Sequence, residues 1–186
     1  QKAPNVRINL VHRISEKLIC GADSCFLSAQ DFADGEASED GTRYLRSFSF
    51  EYTPVWIYEV HGVTVTRRCC MPAGENTAAV LYTIENPTSR SCTLALTPFF
   101  KFAPKEDAVT ERKTFTYDSG KVYAGGHSVN IRTDGVISET DARWQTLAYP
   151  EDARDGRPNQ GVAGACCRIT RTIQPGETAS LEIVFS

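Results

Sequence analysis

The sequence predicts an all-β protein, an antiparallel β-sandwich built as a single domain over residues 1–186. Three observations predict it. Short runs rich in β-branched and aromatic residues recur at intervals of roughly 8–12 residues. Turn signals made of Gly, Pro, Asn and Asp separate these runs. No stretch of about 12 residues or more carries a capped, amphipathic helical period.

The elements follow in order. Asp31–Gly41 is acidic and glycine-containing and reads as a loop. Val55–Val60 is a strand, His61-Gly62 a turn and Val63–Thr66 the returning strand of a hairpin. Thr77–Ile84 is the next strand, stopped by the cluster Glu85-Asn86-Pro87-Thr88-Ser89. Cys92–Thr97 is expected to return as a second hairpin. Lys121–Ala124 and Ser128–Arg132 flank Gly125-Gly126, and Asp134-Gly135 is a hairpin signal. Tyr149–Gly164, with Pro150, Pro158 and three glycines, is expected to be a long loop. Cys167–Ile173 and Thr178–Phe185 close the chain around a Pro175-Gly176 turn.

Composition excludes several classes. Hydrophobic residues make up 41% and charged residues 23%, so the chain can bury a core. The formal charge of -3 is spread along the chain, which argues against a nucleic-acid partner. No apolar run approaches the roughly 20 residues of a membrane span, so no membrane partner is expected. Gln1–Asn5 carries no apolar signal core. The seven cysteines are odd in number and lack the spacing of a zinc site. They read as reduced thiols used as small core residues of a cytoplasmic protein, with no metal and no cofactor.

The residues that could carry chemistry are scattered. Acidic clusters at Glu36/Glu39/Asp40, Glu106/Asp107, Glu139/Asp141 and Glu151/Asp152/Asp155 all read as solvated surface charge. A glycosidase would need a positioned pair among them, one with a raised pKa. His12, His61 and His127 lie far apart in sequence. A small sugar epimerase would need His61, His127 and a loop acid to converge. Aromatic residues are the better candidates, because sugar rings pack their C–H faces on aromatic rings. Trp56 lies in an apolar strand and is expected in the core. Trp144 and Tyr149 have polar neighbours and are candidates for a carbohydrate or interdomain contact.

Several segments together resemble one family. Tyr44-Leu45-Arg46-Ser47-Phe48 followed by Pro54-Val55-Trp56-Ile57-Tyr58 resembles a segment in the N-terminal domain of bacterial and archaeal glycogen debranching enzymes. Met71-Pro72-Ala73-Gly74-Glu75-Asn76-Thr77 through Tyr82 resembles a second segment, and Leu94-Ala95-Leu96-Thr97-Pro98 a third. Arg143-Trp144, then Tyr149-Pro150-Glu151 through Arg154-Asp155-Gly156, resembles a Trp and Tyr–Glu–Arg–Gly segment. That resemblance adds Glu151 and Arg154 to Trp144 and Tyr149 as contact candidates. It implies a supersandwich, galactose-mutarotase-like, without catalytic residues of its own. The implied partner is a C-terminal catalytic (α/α) toroid of the same protein, which would hydrolyse α-1,6-glucosidic bonds in glycogen or another α-glucan. A stand-alone carbohydrate-binding module and a mutarotase-like sugar epimerase are the alternatives. A homodimer of the detached domain is a further expectation.

Overall fold

A computed structural model describes residues 7–105, 107 and 109–186. Gln1–Asn5 and Glu106, both considered above, lie outside the described residues. The chain opens with β1 (Ile8–Cys20), β2 (Asp23–Phe26), β3 (Ala29–Phe32) and the short β4 (Glu39–Asp40). A 3-10 turn (Gly41–Tyr44) leads into a meander of β5 (Leu45–Phe50), β6 (Pro54–Val60), β7 (Val63–Cys70) and β8 (Ala78–Glu85). Then come β9 (Cys92–Pro104), β10 (Thr116–Asp118), β11 (Lys121–Ala124) and β12 (His127–Thr133). β13 (Val136–Ala148), a five-residue helix α1 (Pro150–Arg154), β14 (Gln160–Ile173) and β15 (Thr178–Phe185) complete the fold.

These strands form two antiparallel sheets. One has seven strands in the order β2-β1-β9-β14-β13-β3-β4. The other has eight, in the order β10-β11-β12-β15-β8-β7-β6-β5. The expected sandwich is therefore present. The β6–β7 hairpin is also as expected: Val60 pairs with Val63, and His61 and Gly62 both take positive φ (50° and 81°). Positive φ at both central residues is the primed turn whose twist matches the flanking strands.

Three expected local connections are instead corners between the sheets. β8 and β9, β12 and β13, and β14 and β15 each lie in different sheets. Asn86 shows why the first does not fold back as a hairpin. Its amide Nδ2 donates to the carbonyls of Arg90 (2.8 Å) and Gln174 (3.1 Å), tying two corners together. At the second corner Asp134 Oδ1 accepts the Glu182 N–H (2.7 Å), and Gly135 passes against Leu181 and Ile169. Glycine and proline mark where the chain bends; they do not say whether it returns in the same sheet. The expected loop at Tyr149–Gly164 is also shorter, since α1 fills Pro150–Arg154 and β14 already begins at Gln160.

The core lies between the sheets and follows the period of two that strands impose. Leu18, Leu94, Leu96 and Ile169 face Val65, Tyr82, Ile84 and Leu181, all essentially fully buried. Replacing such a leucine by alanine costs about 2–5 kcal/mol. β9 is buried on both faces along most of its length. Its second face packs Phe99 with Leu147, Ala163 and Ala165, beside Phe32 and Tyr149. The outer side of the seven-stranded sheet is thus partly covered, and polar side chains are buried there.

Candidate functional site

The outer face of the seven-stranded sheet carries the site. β1 supplies His12, Arg13 and Ser15; β9 supplies Lys101; β13 supplies Gln145 and leads into Tyr149. An open cleft of about 670 Å³ lies between the β3–β4 segment and the start of α1. Gln30, Asp31, Asp40, Tyr149, Glu151 and Asp152 are among its lining residues. Pro150 occupies the first turn of α1, where its missing N–H costs nothing. Glu151 and Asp152 follow in the same turn, where acidic side chains suit the helix dipole.

Glu39 forms part of the cleft wall and is buried, which corrects the expectation that its cluster is solvated. Its carboxylate accepts from Ser15 Oγ (2.7 Å), from Ser28 Oγ (2.6 Å) and from Arg13. Arg13 also donates to Gln145 Oε1 at 2.8 Å, and its guanidinium lies 5.3 Å from the Phe99 ring centroid. A buried carboxylate needs such a shell, because losing water without replacement bonds is costly.

Behind the cleft, three titratable groups converge. Lys101 Nζ donates to the Tyr149 hydroxyl at 2.9 Å, and His12 Nε2 lies 2.9 Å from the same oxygen. Asn9 Nδ2 lies 3.0 Å from His12 Nδ1, which makes Nδ1 the acceptor and places the ring proton on Nε2. Burial, then the Lys101 and Arg13 charges, lower the His12 pKa to about 4, so the ring is neutral at pH 7. Burial, followed by the charge of Asp152, raises Tyr149 to about 12 and keeps its phenol protonated. Burial also lowers Lys101 from its ordinary value. The arrangement offers hydrogen bonds, an aromatic ring and several acids. It suits a neutral, hydroxyl-rich ligand better than an anion, which Asp31, Asp40, Glu151 and Asp152 would repel.

Of the four residues expected from the sequence, Tyr149 and Glu151 line this cleft. Arg154 is exposed and binds Glu151 at 2.7 Å within α1, a contact of little energy in water. Trp144 belongs elsewhere. It pairs across the strands with Gly164, and its indole N–H donates to the Lys113 carbonyl at 2.8 Å. A Cβ on Gly164 would meet Phe115 at 2.7 Å and Trp144 at 3.1 Å, so both rings occupy the room a glycine leaves. His61 lies in the β6–β7 turn and His127 opens β12, at opposite ends of the eight-stranded sheet, and they do not converge. Lys101 and Arg13 are the residues sequence reasoning missed, while His12 was read as an isolated histidine and Glu39 as solvated charge. The signal for Lys101 was a charged residue inside an otherwise apolar strand, Phe99-Phe100-Lys101-Phe102-Ala103.

A second polar cluster lies inside the sandwich. Glu16, fully buried, accepts from Arg67 Nη1 through both oxygens (2.9 Å each) and from the Tyr82 hydroxyl at 2.5 Å. Arg67 also stacks 4.0 Å from the Trp56 ring centroid. Trp56 is therefore half-buried beneath a guanidinium rather than a full member of the core.

No helix among the described residues is long and apolar enough to cross a membrane. No curated relative matches the chain. The family model described as the N terminal of glycogen debranching enzyme matches residues 1–180, nearly the whole sequence. With the two-sheet sandwich in place, the chain belongs to the glycogen debranching enzyme N-terminal family.

Proposed function

We propose that this domain is the non-catalytic N-terminal part of a cytoplasmic glycogen debranching glycoside hydrolase, acting on α-1,6-glucosidic bonds of glycogen or a related α-glucan. It packs on the C-terminal catalytic (α/α) toroid, shapes the rim of its cleft, and touches the glucan through the Tyr149 cleft. The family match over residues 1–180 carries this reading. The character of the cleft supports the last part, since an α-glucan is uncharged and rich in hydroxyls. Seven free cysteines support a reducing compartment.

The test is electrophoresis of the chain through a gel containing glycogen, with released glucose assayed in parallel. The expected result is retardation without glucose release. Tyr149→Ala should weaken retardation at least about fivefold, roughly 1 kcal/mol of contact. Glucose release would overturn the non-catalytic assignment. Unretarded migration would remove the glucan contact and leave a structural role against the toroid. A stand-alone carbohydrate-binding module is the second reading, favoured by the same cleft. It requires full retardation and no association with the toroid added in trans.

A further inference from the structure

Cys20 and Cys92 are cross-strand partners in the seven-stranded sheet. Cys20 is the last residue of β1 and Cys92 the first of β9. No other cysteine stands opposite a cysteine: Cys25 pairs with Leu18, Cys69 with Val80, Cys70 with Ala79 and Cys167 with Glu139. Directly opposed residues share a face of the sheet. Both side chains belong to the core between the sheets, at 4% and 2% exposure.

Backbone hydrogen bonding sets how close they stand. The two-residue turn Gly21-Ala22 closes β1 onto β2 at the pair Cys20–Asp23. The closing pair of such a hairpin exchanges its hydrogen bonds, so the N–H and C=O of Cys20 both point toward β2. Toward β9 Cys20 therefore forms a non-hydrogen-bonded pair. In that kind of pair the Cα atoms are about 4.5 Å apart and the side chains approach most closely. A disulfide spans Cα separations of about 4.4–6.8 Å, so this pair can be bridged where it stands. The register runs without a shift from Arg13–Phe99 to Cys20–Cys92, which fixes the pairing. The two thiols also act on each other. Burial raises the pKa of both, Cys92 to about 11, and the hydrogen bond between them favours ionisation of Cys20 and opposes that of Cys92.

We propose that Cys20 and Cys92 are a modification site, a dithiol that hydrogen peroxide converts to an intramolecular disulfide. The Cys20 thiolate attacks one peroxide oxygen and the O–O bond breaks. Cys20 becomes a sulfenic acid, and the departing hydroxide takes the proton that Cys20 released and leaves as water. The Cys92 sulfur then attacks the Cys20 sulfur. The S–S bond forms, the S–O bond breaks, and the hydroxyl leaves as a second water with the Cys92 proton. The peroxide thus accepts two electrons and both thiol protons. The path from solvent is short, since Gly21, Ala22, Arg90 and Ser91 beside the pair are exposed. The bridge ties the strand that carries His12 and Arg13 to the strand that carries Lys101. It holds the register that brings these side chains together, and it closes a loop of about 70 residues through β2–β8.

The experiment uses the folded chain carrying Cys70→Ser, which removes the exposed thiol and leaves six of the seven. It is treated with a small excess of hydrogen peroxide, quenched in acid, unfolded, alkylated and mapped by peptide mass. The expected result is a peptide joining Cys20 to Cys92, the loss of two thiols, and the return of both with dithiothreitol. Cys92→Ala should abolish the link and leave Cys20 as a sulfenic acid that dimedone labels. If that variant does not fold, the peptide map of the Cys70→Ser chain decides alone. Thiols that all survive peroxide overturn the proposal. So does a map that joins Cys20 to Cys25, or Cys166 to Cys167, with no Cys20–Cys92 peptide. A Cys20–Cys92 link that forms only when urea is present during oxidation overturns it too, because the folded register would then not be what brings the thiols together.

Discussion

His12 has a ring held neutral by what surrounds it. The Lys101 ammonium and the Arg13 guanidinium face it, Tyr149 bonds to it, and most of its water is gone. Its pKa falls to about 4 in the folded chain against an ordinary 6.5. The sign follows from proton counting. Below pH 6.5 the unfolded chain takes up a proton that the folded chain refuses until pH 4, so stability drops as pH falls through that window. The full difference is at most about 3 kcal/mol. His12→Gln keeps a hydrogen-bonding group beside Tyr149 and removes the titration. Urea unfolding at pH 7, 6, 5 and 4 should show the wild type losing stability relative to the variant as pH falls. Parallel curves for the two proteins would refute the lowered pKa.

At the scale of elements, the strands were legible wherever their own chemistry defines them. Val55–Val60, Val63–Thr66 and Lys121–Ala124 were placed because β-branched residues alternate between identifiable turns. Long β1 and β13 were not, since Arg13, Ser15, Glu16 and Lys17, and Glu139, Arg143 and Gln145, interrupt the apolar pattern. Arg13, Ser15 and Gln145 among them belong to the site, and Glu16 to the cluster inside the sandwich: polar residues on covered faces erase the alternation that reveals a strand. Tyr149 and Glu151 could be named from their segment, but His12 and Lys101 reach Tyr149 only through strand order. The corner at Gly135 was likewise visible as a turn and invisible as a change of sheet. Its reason is steric. A Cβ there would lie 2.6 Å from Leu181 Cδ1 and 2.9 Å from Ile169 Cγ2, residues of opposite sheets. Gly135→Ala should therefore cost about 1–3 kcal/mol through overpacking. Unchanged urea stability would show that the corner yields freely.

Across the whole molecule, the question is whether two sheets joined by corners behave as one cooperative unit. The chain crosses between the sheets five times, so neither sheet is a contiguous piece of chain. Leu18, Leu96 and Ile169 have no cover without Tyr82, Ile84 and Leu181. The Glu16–Arg67–Tyr82 cluster spans the layers, and separating them would leave a carboxylate without its cation, a loss of about 3–5 kcal/mol in buried pairs. These couplings require both sheets to unfold together. The chain provides its own reporters, because Trp56 lies on β6 of the eight-stranded sheet and Trp144 on β13 of the seven-stranded sheet. Single-tryptophan variants, Trp144→Phe and Trp56→Phe, let fluorescence follow each sheet separately. In each variant the fluorescence transition in urea should coincide with the far-ultraviolet circular dichroism transition of the same protein. A tryptophan signal that changes well before the dichroism would mean that its sheet detaches while the other persists. The buried ion pair would then be a local feature and not the bolt between layers.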